Sequence, residues 1–181
     1  MRRYIAAASA AFLMLSLFGC GAAAAPGAST EPESAAAGEA TDEENKLTDF
    51  YLDVIDDLYN DDEGLNSDID TMGLDLTGAS NLSDDEKQAI ADAAGKAYDL
   101  NVVCGTYDEL EEQGYIDKEN LCFTSGVLIS VEVDGSSVKD DAFTFDAEKW
   151  RGGTGAIFYY DCAASLGADG WSYAVGSFAI S

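Results

Sequence analysis

The chain contains no histidine. That absence removes Ser-His-Asp and Cys-His catalysis, the H-E-x-x-H zinc proteases and the usual zinc hydrolases together, because each uses imidazole as base or ligand. Proline is nearly missing too: Pro26 and Pro32 are the only two, so everything C-terminal of them is proline-free. Basic residues are scarce, 9 Lys and Arg against 35 Asp and Glu. Nucleic acid is thereby excluded as a partner, since binding it requires cations that displace the phosphate counterions. A run long enough to span a bilayer is lacking as well; the longest apolar stretch, Tyr4 to Phe18, has 15 residues, short of the roughly 20 that a transmembrane helix needs.

What that stretch does fit is the core of an export signal, with Arg2 and Arg3 before it. It ends in Leu17-Phe18-Gly19-Cys20, which resembles the lipobox of bacterial lipoproteins, although Phe18 is bulkier than that family usually carries. The resemblance implies cleavage between Gly19 and Cys20, a diacylglycerol thioether on Cys20, and anchorage on the outer face of the cell membrane. An ordinary secretory signal cut after one of Ala22 to Ala25 is the alternative. Two or three acyl chains hold a protein on a bilayer far better than one, each buried methylene adding about 0.8 kcal/mol.

Residues 20–46 follow as a tether of Ala, Gly, Ser, Thr, Pro and Glu, too poor in large apolar side chains to offset the entropy of ordering. Residues 47–181 are expected to form the domain. They hold 6 basic and 29 acidic residues, a formal charge of −23. Solubility in a salty exterior is the simplest use of such charge, and an anionic membrane surface repels it.

Within the domain, Leu47, Phe50, Tyr51, Val54, Ile55, Leu58 and Tyr59 recur at helical spacing, with Asp49, Asp53, Asp56, Asp57 and Asn60 opposite. A second helix starts at Ser83, with Glu86 completing a capping box, and fades near Tyr98; its expected stripe is Ala89, Ile90, Ala93, Ala94 and Ala97. A short third helix runs from Thr106 and Glu109 to Gly114. The period then changes to two. Val127, Ile129, Val131 and Val133 alternate with Leu128, Ser130, Glu132 and Asp134, a strand with one wet face. Asp134-Gly135 predicts a type I′ hairpin into Val138–Phe145, and Asp169-Gly170 joins Ala156–Leu166 to Trp171–Ile180. Short extra strands fit Leu74–Leu76 or Asn101–Cys104. The expectation is an α+β domain: two to three N-terminal helices on an antiparallel sheet of about four strands.

No residue is nominated as catalytic, and no cofactor motif is present. Once Cys20 is lipidated, Cys104, Cys122 and Cys162 remain. They form at most one disulfide or are buried as small apolar residues, and no basic neighbour in sequence would activate a thiol. Residues 60–70 look like a calcium loop. With Gly64 at the turn, however, Tyr59 takes position 1 and Asp70 position 12; with Gly73 there, Met72 and Ala79 fall at ligand positions. Calcium thus has no motif behind it. Arg151-Gly152-Gly153-Thr154-Gly155 is not a phosphate loop, since a strand rather than a helix follows; it reads as a bulge or turn.

Aromatic residues crowd the C-terminal third. Phe158, Tyr160 and Cys162 alternate with Ile157, Tyr159 and Asp161, so one face of that strand is core. The other is either covered by a helix or offers a stacking platform for a sugar or peptide; cover is the expectation for a central strand. Trp150 and Arg151, beside Lys149 at the presumed end of a strand, form the candidate ligand contact, because Trp and Arg dominate binding hot spots. The structural alternative has Trp150 plugging the core and Arg151 neutralising Asp146 or Glu148.

The segments Leu47-Thr48-Asp49-Phe50, Leu65-Asn66-Ser67-Asp68-Ile69, Phe143 to Arg151 and Asp161-Cys162 resemble those of small, uncharacterised lipoproteins of Gram-positive anaerobes. The helix-to-sheet order ending in Asp169-Gly170-Trp171 is loosely similar to NTF2-like and cystatin-like folds. Neither resemblance supplies an activity. The expected role is therefore a non-enzymatic surface module, with the membrane as partner through its lipid and an envelope protein, peptide or glycan as ligand. The alternative is a hydrolase of envelope or extracellular polymers working with carboxylates alone.

Overall fold

A computed structural model describes residues 42–181. The export signal, the lipidation site Cys20 and most of the tether lie outside the described residues. Helix α1 (Asp42–Asn60) starts five residues ahead of Leu47. Its apolar stripe behaves as the spacing predicts: Phe50, Tyr51, Val54, Ile55 and Leu58 are buried, while Asp53, Asp56 and Asp57 face solvent. A 3-10 turn (Glu63–Asn66) ends the connection to β1 (Thr71–Asp75). Helix α2 (Asp84–Tyr98) carries the expected capping box, with Ser83 Oγ accepting from Glu86 N–H and the Glu86 carboxylate accepting from Ser83 N–H. Its stripe is rotated from expectation: Ile90, Ala91 and Ala94 are buried, whereas Ala89 and Ala97 are exposed. Small side chains of equal hydropathy leave the rotation to packing, and α2 docks on α1.

Strand β2 (Asn101–Cys104) and helix α3 (Tyr107–Glu112) follow, α3 with a second capping box between Thr106 and Glu109. Then come β3 (Ile116–Asp117), β4 (Cys122–Phe123), β5 (Gly126–Val133), β6 (Ala142–Gly152), β7 (Gly155–Gly167), β8 (Gly170–Ala174) and β9 (Ser177–Ile180). All nine strands join one open sheet. The α+β class holds, but the sheet is more than twice the expected size and is mixed. Strand β1 lies between β2 and β5 and runs parallel to both; the remaining pairs are antiparallel. Short β1 and β2 carry no alternation, which is why sequence pattern alone left them marginal. Gly126 stands opposite Thr71 at the start of the β1–β5 pairing, and a Cβ there would sit 2.3 Å from the Thr71 carbonyl oxygen.

Two expected turns differ. Residues 134–141 form a loop rather than a two-residue hairpin. The Asp134 carboxylate accepts from Ser136 N–H at 2.9 Å and from its hydroxyl at 2.7 Å, an Asx turn that outcompetes the type I′ geometry. The Gly-rich segment closes β6 onto β7 as a tight turn, Gly152 opposite Gly155, as its composition suggests.

The expected last strand is split into β8 and β9, which pair with successive halves of β7. The cause lies in β7. Asp161 has φ 51° and is one residue too many against β6: Phe145 opposes Cys162 and Ala147 opposes Tyr159. This bulge inverts the alternation beyond it. Cys162 therefore joins the core instead of sharing a face with Phe158 and Tyr160. Gly176 sits against the bulge, where a Cβ would come within 2.6 Å of the Asp161 carbonyl oxygen.

The main core lies between one sheet face and helices α1 and α2. Phe50 of α1 is at its centre, with ring centroids 5.5–6.0 Å from Phe143, Phe145, Trp171 and Tyr173. A smaller cluster of Leu110, Ile116, Phe123 and Leu128 lies under α3, with Trp150 against it. Among the described residues no helix is long and apolar enough to cross a membrane.

Candidate functional site

Lys149, Trp150 and Arg151, adjacent in sequence, part company in space. They lie at the end of β6, just before the Gly152–Gly155 turn, as expected. Lys149 is fully buried. Its ammonium donates to the carbonyl oxygens of Tyr59 at 3.1 Å and Asp62 at 3.2 Å, to that of Asp61, and to Asn66 Oδ1 at 3.4 Å. Burial pulls its pKa down, against the opposing pull of Asp62 and Asp61. The stretch that resembles a calcium loop is thus wrapped around a lysine. Arg151 Nη1 donates to the carbonyls of Leu65 at 2.6 Å and Ser67 at 2.7 Å, so its partners are main-chain oxygens rather than Asp146 or Glu148. Trp150 goes the other way, half-buried with its ring centroid 5.2 Å from that of Tyr107 at the start of α3.

Because these two cations are engaged by neutral carbonyls, they pair with no carboxylate. Among the described residues the one ion pair is Lys118 with Glu111, at 3.4 Å. Acidic residues of α1 and of the turn just after it use phenols instead. Tyr98, Tyr173 and Tyr159 donate their hydroxyls to Asp56, Asp57 and Asp61 at 2.7, 2.6 and 2.9 Å. Desolvation, then the carboxylate partner, raises each of these phenols.

The sheet face opposite α1 is only partly covered. Helix α3 shields Leu128 and Trp150, paired across β5 and β6, and its cluster reaches no further along that face. The next row across β5, β6 and β7 is Ser130–Glu148–Phe158, followed by Glu132 opposite Asp146, with Tyr160 and Asp161 of the bulge beyond. The expectation that a helix covers both faces of β7 therefore fails for Phe158 and Tyr160: Tyr160 is 39 % exposed and Phe158 intermediate. Their rings are stacked, centroids 5.7 Å apart and planes within 5°. On the far side, Phe158 and Tyr160 pair with Ala179 and Ser177 of β9, whose small side chains build no wall. The result is an open groove of about 180 Å³ lined by Ser130, Glu132, Asp146, Glu148, Phe158 and Tyr160.

Electrostatically this groove is one-sided. Glu132 and Asp146 are direct cross-strand neighbours, an arrangement of like charges that destabilises a sheet. Asp146 Oδ1 accepts a 2.7 Å bond from Asp161 N–H, which fixes the bulge. Burial raises the pKa of Glu148, and among the described residues its carboxylate accepts no hydrogen bond. Ser130 and Glu132 were legible as the wet face of a strand, and Phe158 with Tyr160 as a platform. Asp146 and Glu148 were missed as site residues, because only the β5–β6 register reveals that they stand between the two.

The other reactive groups are not gathered. Cys104, Cys122 and Cys162 are all free thiols on separate strands. Desolvation, then Asp146, raises Cys162 to about 11, and desolvation with Asp92 raises Cys104, so neither is poised as a nucleophile. Among the described residues no three Cys, Asp or Glu side chains are placed to hold a metal ion together. No family model matches the chain, and neither the curated proteins nor the solved structures give a match.

Proposed function

We propose that this protein is a lipid-anchored module on the outer face of a bacterial membrane, which binds an envelope or extracellular ligand on the open face of its sheet. The lipobox at Leu17–Cys20 supports the anchor, and the tether at 20–46 supplies reach. The observation that carries the binding reading is the stacked, solvent-open Phe158–Tyr160 pair. Aromatic surface left uncovered beside polar groups is a common mark of an interaction site. An NTF2-like or cystatin-like scaffold, with a helix first and the antiparallel strands β5–β9 after it, is part of this proposal.

Hydrolysis by carboxylates remains the second reading, favoured by one observation: Glu148, raised by burial, stands on the same face as Asp146 and Glu132. Paired carboxyls held at different pKa values are what glycosidases use. The groove weighs against it. Around Glu148 it holds about 180 Å³, below the roughly 300–1,000 Å³ of clefts that enclose a small-molecule substrate; the adjoining depression of about 550 Å³ is lined by Glu132 and Asp146 but not by Glu148, so binding is the stronger reading.

The test is capture from the native envelope by the full chain and by its Phe158→Ala/Tyr160→Ala double variant. A partner recovered by the wild type and lost by the variant, with an unchanged melting midpoint, is the expected result. Equal recovery by both would overturn the assignment of this face.

A further inference from the structure

We infer that the open groove receives a basic side chain, a lysine or arginine presented by an extended peptide. This rests on the reading of the face as a binding site and names its ligand class.

Three features lead there. The Phe158 and Tyr160 rings run parallel at the groove, planes within 5° and centroids 5.7 Å apart. They offer π electrons there, to which a cation is drawn. Size is the second feature. The part beside Glu148, about 180 Å³, admits one side chain or a small head group rather than a drug-sized molecule, and it shares Glu132 and Asp146 with a wider acidic depression of about 550 Å³. Charge is the third. Every ionisable group lining the groove is Glu132, Asp146, Glu148 or the Tyr160 phenol, and Asp161 and Asp134 line the adjoining surface. The nearest cations in β6, Lys149 and Arg151, are held by carbonyls elsewhere.

Complementarity follows from these. A neutral ligand would leave Glu132 and Asp146 repelling each other and would further desolvate an unpartnered Glu148. A cation relieves both. The strands also suit an extended chain, because Ser130, Glu132, Asp146 and Glu148 stand on adjacent strands in two rows. A peptide laid across them places alternate side chains toward the groove.

A protein of charge −26 attracts any polycation, so the experiment must separate a site from a diffuse field. The probes are acetyl-Ala-Ala-Lys-Ala-Ala-amide, its Arg counterpart, the all-Ala peptide and a neutral N-acetylglucosamine hexamer. Each is titrated into the lipidated mature protein, from Cys20 onward, in nonionic detergent at physiological salt, followed by amide chemical shifts. Lys and Arg peptides are expected to shift Glu148, Phe158 and Tyr160. Tyr160→Ala and Glu148→Gln are each expected to weaken them about fivefold or more, in line with one cation–π or one ion-pair contact. Asp140→Asn, in the exposed 134–141 loop, keeps affinity within twofold.

Equal weakening by Asp140→Asn, or shifts spread over the acidic surface, overturns the inference. So does tighter binding of the neutral peptide or the sugar at these residues, although that outcome leaves the binding face itself standing. Absence of any shift at the groove with all four probes also overturns it. The envelope capture with the double variant then decides separately whether the face binds anything.

Discussion

The ammonium of Lys149 lies 3.1 Å from the carbonyl oxygen of Tyr59, at the end of a helix ninety residues earlier in the chain. Helix C-terminal carbonyls carry partial negative charge and need donors. Here one buried lysine serves several at once and fixes the 60–67 connection onto β6. Lys149→Met keeps the length and apolar bulk but leaves those oxygens without a partner. It is expected to cost about 3 kcal/mol, in the range for losing hydrogen bonds to a charged group. Urea unfolding checks it, and a loss below about 1 kcal/mol would show that water replaces the ammonium freely.

Trp150 tests packing apart from recognition. It is half-buried against Tyr107, one row from Glu148. Trp150→Ala should cost about 2 kcal/mol, less than the 3–5 kcal/mol of a fully buried large aromatic. A melt that does not move, combined with lost ligand binding, would restore Trp150 to the role of direct contact.

Salt should stabilise the protein. With 35 acidic residues against 9 basic and a single ion pair among the described residues, screening relieves more repulsion than attraction. The melting midpoint is expected to climb by several degrees between low salt and molar NaCl. A midpoint that is flat or falls would mean the charges are too dispersed to matter. Calcium raising it well beyond NaCl at matched ionic strength would reveal a specific site.

Stability should peak in mild acid. Glu148 and Asp53 are raised in the folded state, the first by burial, the second by desolvation and then the repulsion of Asp57. The fold therefore binds more protons than the unfolded chain just above the ordinary carboxylate range, and stability grows as pH falls through that window. Hydrogen bonds hold Asp70, Glu109, Asp117 and Asp134 below their usual values. Their contribution is present above the ordinary range and drains away as pH falls beneath it. Melts across the pH range should thus rise from neutrality to about the ordinary carboxylate values and then decline; a monotonic fall from neutrality would contradict the Glu148 environment.

Cys20→Ala should abolish palmitate labelling and leave the precursor unprocessed by the lipoprotein signal peptidase. Equal labelling of wild type and variant would remove the anchor from the proposal.

Local signals in the sequence were the dependable ones. Both capping boxes, the stripe of α1 and the wet face of β5 were legible because each is written within a few neighbouring residues. The parallel placement of β1 between β2 and β5 was not, since five residues without alternation carry no information about which distant strand they meet. Asp134-Gly135 misled because the same aspartate that favours a tight turn also caps a longer one. Half of the candidate groove was readable as separate strands. Its other half, Asp146 and Glu148, needed the register that sets them beside Phe158 and Tyr160.

The extra residue at Asp161 also governs how this chain tolerates change in length. On either side of it β7 keeps strict two-residue parity, so a single insertion or deletion nearby would not merely shorten the strand. Removing Asp161 itself would only restore a regular strand, with Cys162 still opposite Phe145 and Tyr159 opposite Ala147, whereas removing Ala163 would turn Ala164, now inside, out toward water and bring Ser165 in. Adding one residue between Ile157 and Tyr160 would instead send the phenylalanine or the tyrosine of the groove inward. Length variation in this strand is therefore expected in even steps, or in odd steps that remove the bulge at Asp161 or add a second one, and sequence alignments that slide a gap freely across 158–162 will exchange the inside of the domain for its outside.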